Sequence, residues 1–285
     1  MPLTEAIRFK IIQLFCLIFF FIILFNFFTK AFLFQIVPAY FFNKLDFSTW
    51  LVMLLNIHKL PLNNRTACLL ADMIYYLMPF IYFVCYLKRK NLAPYIGWLM
   101  VAVNFIYTVI YCLYPTESIE IHIALVVFPI IFIPASLKTF WFLLHAVRYF
   151  FLYYFASAGV WKIIAGGLFH PMQMSSILLV QHKEILISGT PGWMTDVYKW
   201  FIVHPAISHS FYVASTIFEL SFIIGFFTKR LDVLLILFYL LFLIMDSLLM
   251  RIDYWQTLPF VLAMMYSAYK IPEASDKLSG SLSKA

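Results

Sequence analysis

Long apolar stretches alternate with short polar ones along this chain. A helix needs roughly 20 mostly apolar residues to cross the hydrocarbon core of a bilayer. Stretches of about this length, bounded by charged residues or proline, occur eight times. The predicted spans are residues 11–36, 67–87, 92–114, 121–137, 139–163, 209–228, 231–250 and 254–270. We therefore predict an all-α fold, a polytopic helical bundle with about eight transmembrane helices.

Two of these stretches need separate interpretation. The first, residues 11–36, is too long for the apolar core of a signal peptide, and no small-residue cleavage site follows it. It predicts a membrane helix that is retained. The fourth, residues 121–137, is short, and we expect Pro129 and Pro134 to kink it because proline has no backbone N–H to donate.

Composition supports a membrane location. The chain is 64% hydrophobic and 12% charged, with a mean hydropathy of +0.93, whereas about a quarter of the residues in a soluble domain are charged. Its net charge of +7 comes from basic residues scattered at the ends of apolar stretches, which is typical of helix anchors and not of a nucleic-acid interface. All four cysteines lie inside apolar stretches without a CxxC pair, so we expect no disulfide framework and no redox site.

Short basic connections orient the predicted bundle. Residues 88–90, Lys138 and residues 229–230 fall on one side together with both chain ends. An excess of Lys and Arg in short loops predicts that this side is cytoplasmic. We expect an integral protein of the bacterial inner membrane, with both termini in the cytoplasm and the polar connections 38–66 and 164–208 facing outward.

The 164–208 connection carries its own helical pattern. Its segments "PMQMSSILLVQHKEIL" and "MTDVYKWFIVH" place apolar residues at helical spacing beside polar ones, as amphipathic helices at a membrane surface do. Long ordered connections are often functional, so one interpretation is a lid over a site. The equally open alternative is a packing element that lies on the membrane surface.

Two ionisable residues fall near the middle of predicted spans. Arg148 and Glu219 lie at about the same depth when residues are counted from the inner ends of their helices. Buried charges are costly unless they are paired. We therefore predict an intramembrane Arg148–Glu219 pair, with a mainly structural role.

Further ionisable residues fall near the outer ends of the predicted spans. They are Asp72, His122, Lys162, Asp246, Arg251 and Asp253. Alone, Lys162 would be an anchor whose ammonium reaches the membrane surface. In this company, a lysine removed from water can act as a base, with a histidine as proton relay. Lys162 and His122 are thus candidate catalytic residues, and the other four are candidate ligand-binding residues. The histidine spacing matches no metal signature, so we predict no metal site.

Two segments of the chain carry a resemblance to a known superfamily. They are "RYFFLYYFASAGVWKI" (148–163) and "ASTIFELSFIIGFFTKR" (214–230). They resemble the DoxX-like membrane proteins, in which an Arg and a Gly-x-x-Lys mark one helix and a Glu followed by Gly-x-x-Thr-Arg/Lys marks another. The same segments are similar to the membrane part of vitamin K-dependent gamma-carboxylase and its bacterial HTTM relatives. The resemblance covers about residues 115–270.

This resemblance implies roles for three residues. Lys162 stands where the carboxylase family has its base, Glu219 where it has an intramembrane acid, and His122 near the position of its histidine. The sequence departs from the family at "LIMDSLL", where the relatives have a histidine, and we expect no counterpart of the carboxylase's large lumenal domain. The resemblance therefore implies binding of a quinone, hydroquinone or similar amphiphile more than carboxylation of a peptide.

Two functional hypotheses follow. In the first, Lys162 accepts a proton from a bound hydroquinone or other weakly acidic amphiphile, in carboxylase-like or redox chemistry. In the second, the chain is a non-catalytic structural or accessory subunit, with membrane lipid and other membrane subunits as its partners. Both predict no nucleic-acid partner. Both divide the chain into a three-helix segment (1–114), a DoxX/HTTM-like bundle (115–270) and a disordered cytoplasmic tail (271–285).

Overall fold

The computed structural model describes residues 4–36, 47–57, 59, 64–113, 119–189 and 191–269. Within these residues every regular element is helical, as the sequence predicts. The α-helices are α1 (Glu5–Phe28), α2 (Phe47–Leu54), α3 (Arg65–Lys88), α4 (Ala93–Leu113), α5 (Ile123–Val127), α6 (Leu137–Ile164), α7 (Gln173–Gln181), α8 (Lys183–Ser188), α9 (Trp193–Val203), α10 (Pro205–Ser221), α11 (Ile224–Phe227), α12 (Asp232–Met250) and α13 (Pro259–Tyr266). The 3₁₀ helices are Leu33–Gln35, Lys90–Leu92, Ile119–His122, Phe128–Phe132, Gly167–Phe169 and Trp255–Thr257.

Five helical segments in the described part of the chain are long and apolar enough to cross a membrane. They are Glu5–Gln35, Arg65–Lys88, Lys90–Leu113, Pro205–Phe227 and Asp232–Met250. Each corresponds to one predicted span. These segments are compatible with an integral membrane protein, whereas the predicted number of about eight spans is not confirmed.

The other three predicted spans differ from this pattern for separate reasons. Helix α5 gives way to the 3₁₀ helix Phe128–Phe132, with Pro129 in its first turn. Helix α6 has 28 residues, but its tyrosines and charged residues lower its hydropathy. Helix α13 has only 8 residues, and the chain beyond residue 269 lies outside the described residues.

The chain divides into two compact units. The first comprises the described residues within Met1–Thr116, Val126–His145 and Tyr266–Ala285, and the second those within Glu117–Leu125 and Ala146–Met265. Residues 126–145, assigned by sequence to the 115–270 bundle, thus belong to the first unit. The predicted disordered tail, 271–285, lies outside the described residues.

Aromatic side chains fill the core of the first unit. The Phe15 ring lies 5.3 Å from that of Phe128 and 5.1 Å from that of Phe132. Arg8, which the sequence suggests is a flanking anchor, is buried and donates a 2.6 Å hydrogen bond to the carbonyl of Pro134. This bond satisfies an acceptor that the proline-interrupted backbone leaves without a helical partner.

The second unit also has an aromatic core. The buried Phe151 ring lies between 5.1 and 5.5 Å from the rings of Phe155, Phe222, Tyr239 and Phe260. Short helices form in the 164–208 connection, as predicted, and their apolar residues pack with those of α10 in a cluster. The buried members of this cluster are Met174, Leu178, Phe201 and Tyr212.

Candidate functional site

Two glycines set the position of Lys162. A Cβ atom at Gly159 would lie 3.1 Å from Glu219 Cβ and 3.0 Å from Leu220 Cγ, so the absence of a side chain allows α6 and α10 to approach closely. Gly166 has a φ of 77° and follows the end of α6, in the left-handed conformation that commonly terminates helices. These features leave Lys162 in the last turn of α6, facing α10.

Lys162 forms an ion pair with Glu219. Its Nζ lies 2.8 Å from Glu219 Oε1 and donates a second hydrogen bond, of 3.0 Å, to Ser215 Oγ. The Tyr212 ring centroid lies 5.3 Å from the same nitrogen. The Glu219 side chain is 4% exposed and that of Lys162 23% exposed. Since an ammonium has three donors, one N–H of Lys162 remains for a ligand oxygen.

The ion pair opens onto a cavity of about 590 Å³ within the second unit. Most of the wall is apolar, with Ala158, Phe211, Phe242 and Leu249 among its residues. The 164–208 connection contributes Met174 and Ile177 to the lining. Cavities of this size with apolar walls and a few polar groups are typical of small-molecule sites.

The predicted ligand-binding residues of the C-terminal half are partly brought together. Asp246 lines the cavity and interacts electrostatically with Lys162 and Glu219. Asp253 lies close enough to Asp246 for an electrostatic interaction, and it accepts a 2.6 Å hydrogen bond from the Ser247 hydroxyl. Arg251 ends α12 in a left-handed conformation with a φ of 52°, is exposed, and does not line the cavity.

His122 is not among the residues that line this cavity. It is buried at the end of the 3₁₀ helix Ile119–His122, which packs against the 3₁₀ helix Trp255–Thr257. A direct proton relay between His122 and Lys162 therefore has no support from their positions.

Asp72 belongs to the first unit and has a structural set of partners. Its buried carboxylate accepts hydrogen bonds from the backbone N–H groups of Leu33, at 3.1 Å, and Phe34, at 3.0 Å. The hydroxyl of Tyr107 donates a third, at 2.5 Å. A carboxylate at this position stabilises the first turn of Leu33–Gln35, as an N-terminal cap does.

Arg148 has a different partner from the predicted one. Its Nε lies 2.8 Å from Asp232 Oδ2 and its Nη2 lies 2.5 Å from Asp232 Oδ1, a bidentate pair in which the Arg148 side chain is completely buried. Nη2 also donates to the carbonyl of Gly225 at 2.9 Å. The predicted Arg148–Glu219 pair is wrong, because Asp232 binds the arginine and Lys162 binds the glutamate. Counting residues gives the depth of a side chain but not the direction in which it points from the helix axis.

Sequence reasoning missed three residues around these charges: Asp232, Ser215 and Tyr212. Asp232 begins α12 directly after the basic "TKR" segment, so in the sequence it resembles an ordinary charge at a helix end. Ser215 and Tyr212 precede Glu219 by four and seven residues. That spacing places them on the same face of a helix and could have indicated a shared site.

His182 links the connection to the end of α12. Its Nε2 donates a 2.7 Å hydrogen bond to the carbonyl of Leu249, and its ring stacks on Tyr198 with centroids 3.7 Å apart. Nδ1 is buried and has no hydrogen-bond partner in the described part of the chain. Burial lowers the pKa of His182, the positive charge of Arg251 lowers it further, and the bond to Leu249 opposes this change.

We expect the protein to lose stability as the pH falls below about 6.5, the ordinary pKa of histidine. The unfolded chain takes up a proton at His182 before the folded chain does, so acid favours unfolding in this range. His182→Phe retains a ring against Tyr198 but cannot titrate. Its unfolding temperature should therefore fall less between about pH 7.5 and about pH 5.5, as measured by thermal denaturation in detergent.

The exposed His204 supplies the control for this measurement. His204→Phe should keep the pH dependence of the unmodified protein. If His182→Phe and the unmodified protein lose the same stability over the range, His182 is not the titrating group.

Metal-ligating residues do not cluster in the described residues. No group of three or more His, Cys, Asp or Glu side chains there is arranged to hold a metal ion. The polar side chains that line the cavity are one ammonium, two carboxylates, the Ser215 hydroxyl and the phenols of Tyr212 and Tyr254.

Comparison of the chain with protein-family models, with curated proteins and with solved structures finds no match. The segments 148–163 and 214–230 contact each other at several places. Hydrogen bonds join Lys162 to Glu219 and Arg148 to the Gly225 carbonyl, and the rings of Phe155 and Phe222 stack between them.

Proposed function

We propose that this chain is an integral membrane protein of the DoxX/HTTM type that binds an amphiphile, such as a quinone or hydroquinone, in the Lys162–Glu219 cavity. The observation that carries the proposal is the combination of apolar walls with a buried ion pair at one cavity. An apolar tail would contact the walls, while a polar head would contact Lys162, Glu219 and Asp246. Such a division is typical of sites for amphiphilic molecules.

The contacts between the two segments support the superfamily assignment. The Gly159-x-x-Lys162 motif of α6 meets Glu219 of α10. Arg148 of α6 meets the carbonyl of Gly225, which begins the Gly-x-x-Thr motif. Residues that are far apart in the sequence but belong to one superfamily pattern thus contact each other at both positions.

Binding has more support than proton transfer. Lys162 donates hydrogen bonds to Glu219 and Ser215, and these bonds use its ammonium form. Before it can accept a proton from a ligand, the ammonium must first give up one of its own, for which Glu219 is the adjacent acceptor. Until then, Lys162 can donate its remaining N–H to a ligand oxygen, as a residue that binds and orients the head.

We also propose that α6 crosses the membrane. Its 28 residues correspond to a length of about 42 Å, which exceeds the hydrocarbon thickness. The completely buried Arg148 is neutralised by Asp232. The remaining predicted spans and the cytoplasmic location of both termini stay predictions.

Filling the cavity should weaken amphiphile binding. Ala214 lines the cavity, and Ala214→Trp would place an indole where a ligand tail contacts the wall. We expect it to weaken binding of decylubiquinone by at least about tenfold, because the ligand loses apolar contact area. Equilibrium binding to the purified protein in maltoside micelles measures this effect.

Ile217→Trp is the matched control, since Ile217 lies on the same helix, is exposed, and does not line the cavity. It should leave binding unchanged. Equal binding by both variants would exclude this cavity as the site. Absence of binding to the unmodified protein by decylubiquinone and by simpler single-chain amphiphiles would favour the accessory-subunit hypothesis.

A further inference from the structure

Building on the proposed function, we infer that the head of the amphiphile carries a protonated amine. The charges and the hydrogen-bond acceptors that line the cavity indicate this class of ligand.

The lining of the cavity contains more negative than positive groups. Lys162 is its single basic side chain among the described residues, whereas Glu219 and Asp246 are both acidic. Lys162 pairs with Glu219, so the charge of Asp246 has no equivalent partner. Asp253, which interacts with Asp246, and Arg251 both lie outside the lining of the cavity. A cationic head would balance this excess.

Hydrogen bonding points to the same class of head. Glu219 Oε2 is buried and has no hydrogen-bond partner within the described residues. Among those residues, none forms a hydrogen bond or an ion pair with the Asp246 carboxylate. Carboxylate oxygens only accept hydrogen bonds, and buried acceptors without donors are unfavourable. The ligand that suits this cavity therefore supplies N–H or O–H donors.

Several head groups can be compared on this basis. A quinone has only acceptors at its head, so it would use the remaining N–H of Lys162 but leave Glu219 Oε2 and the Asp246 carboxylate without donors. A hydroxyl head supplies donors but no charge. An ammonium supplies up to three donors and one positive charge, and thus satisfies both requirements.

The aromatic walls also favour an ammonium. Phe211, Tyr212, Phe242 and Tyr254 line the cavity, and the face of Tyr212 already attracts the ammonium of Lys162, 5.3 Å away. Cations over aromatic faces gain additional electrostatic attraction, most of all where water is excluded. A second ammonium would find similar faces in the same cavity.

Three single-chain amphiphiles with the same tail test the inference: dodecylamine, dodecanol and dodecanoate. In neutral maltoside micelles we expect dodecylamine to bind the purified protein about tenfold more tightly than dodecanol, and dodecanoate to bind most weakly. Isothermal titration calorimetry measures the three affinities. Asp246→Asn should remove the preference for the amine, so that dodecylamine and dodecanol bind this variant about equally.

Asp196→Asn is the matched control, because it makes the same change of charge at an exposed position on α9, outside the cavity. It should not alter the preference for the amine. A thermal unfolding curve like that of the unmodified protein would show that Asp246→Asn remains folded. If it does not remain folded, the affinities of the three probes for the unmodified protein decide the question.

The outcomes separate this inference from the proposed function. Equal binding of all three probes, lost in Ala214→Trp, would overturn the amine preference and keep the amphiphile site. Binding of none of them would contradict the site itself. A preference for dodecylamine that survives Asp246→Asn would also overturn the inference, because another group would then select the charge.

An ammonium head can come from a single-chain amine or from a phospholipid. Didodecanoyl phosphatidylethanolamine, added as a competitor, distinguishes these sources. Displacement of dodecylamine would identify the phospholipid as a ligand, with its phosphate available to Lys162. Failure to displace it would identify a single-chain amine. Both results support the ammonium.

Discussion

Replacing Arg148 with methionine is expected to lower the free energy of unfolding by about 3–5 kcal/mol. The guanidinium is completely buried and makes a bidentate pair with Asp232. Methionine takes the guanidinium charge away from this buried carboxylate, and it also removes the donor to the Gly225 carbonyl. Removing one member of a buried, hydrogen-bonded ion pair is strongly destabilising. Titration with SDS in mixed micelles, followed by circular dichroism, measures the loss.

The double variant Arg148→Met/Asp232→Leu separates charge from packing. Removing both ionic groups should be less damaging than the sum of the two single changes, because no buried charge then remains. About 1–3 kcal/mol should still be lost, since the Gly225 carbonyl has no donor in this variant. Single losses that simply add would contradict a direct Arg148–Asp232 interaction. Arg230→Met, at an exposed position two residues before Asp232, should change stability by no more than about 0.5 kcal/mol.

Asp72→Ala is expected to destabilise the protein by about 2–4 kcal/mol, since three donors lose their acceptor in a buried environment. The donors are the N–H groups of Leu33 and Phe34 and the hydroxyl of Tyr107. The backbone groups are the more serious loss, because they cannot turn to another acceptor. Thermal unfolding measures the stability, and hydrogen exchange should show faster exchange in the peptide that contains Leu33 and Phe34.

Tyr107→Phe provides the comparison for Asp72. It removes one of the three donors and leaves the carboxylate with two, so a loss of about 1 kcal/mol is expected. The peptide that contains Leu33 should keep its protection in this variant. A loss as large as that of Asp72→Ala, or unchanged exchange in Asp72→Ala, would show that the carboxylate does not hold this turn.

The local features of the chain were predictable because neighbouring residues determine them. An apolar stretch predicts a membrane span when its helix is long enough to cross the bilayer. Five predicted spans correspond to helices that are long and apolar enough to do so. Pro129 interrupts its helix, and Gly166 follows the end of α6, because each acts through its own backbone. The amphipathic pattern of 164–208 likewise indicated short helices. Each of these predictions needs only the residue and its sequence neighbours.

The partners of the buried charges were not predictable in the same way. From the sequence, Arg148 and Glu219 lie at similar depths and were predicted to pair. In the structure, Arg148 pairs with Asp232, and Glu219 pairs with Lys162. It also places Asp72 on the backbone of Leu33 and Phe34 and leaves His122 outside the lining of the cavity. Depth along a helix follows from counting residues, whereas the partner depends on which helix faces which and at what rotation.

The sequence by itself therefore determined that this chain is helical and apolar enough for a membrane, and that it carries ionisable groups which need partners. Only the tertiary structure decided which groups meet. The physical reason is that hydropathy and backbone preference are properties of single residues and short segments. Ion pairing, in contrast, requires two side chains from separate helices to arrive at the same point. Gly159 shows the connection between the two levels: the missing side chain is visible in the sequence, but only the packing of α10 against it brings Glu219 to Lys162.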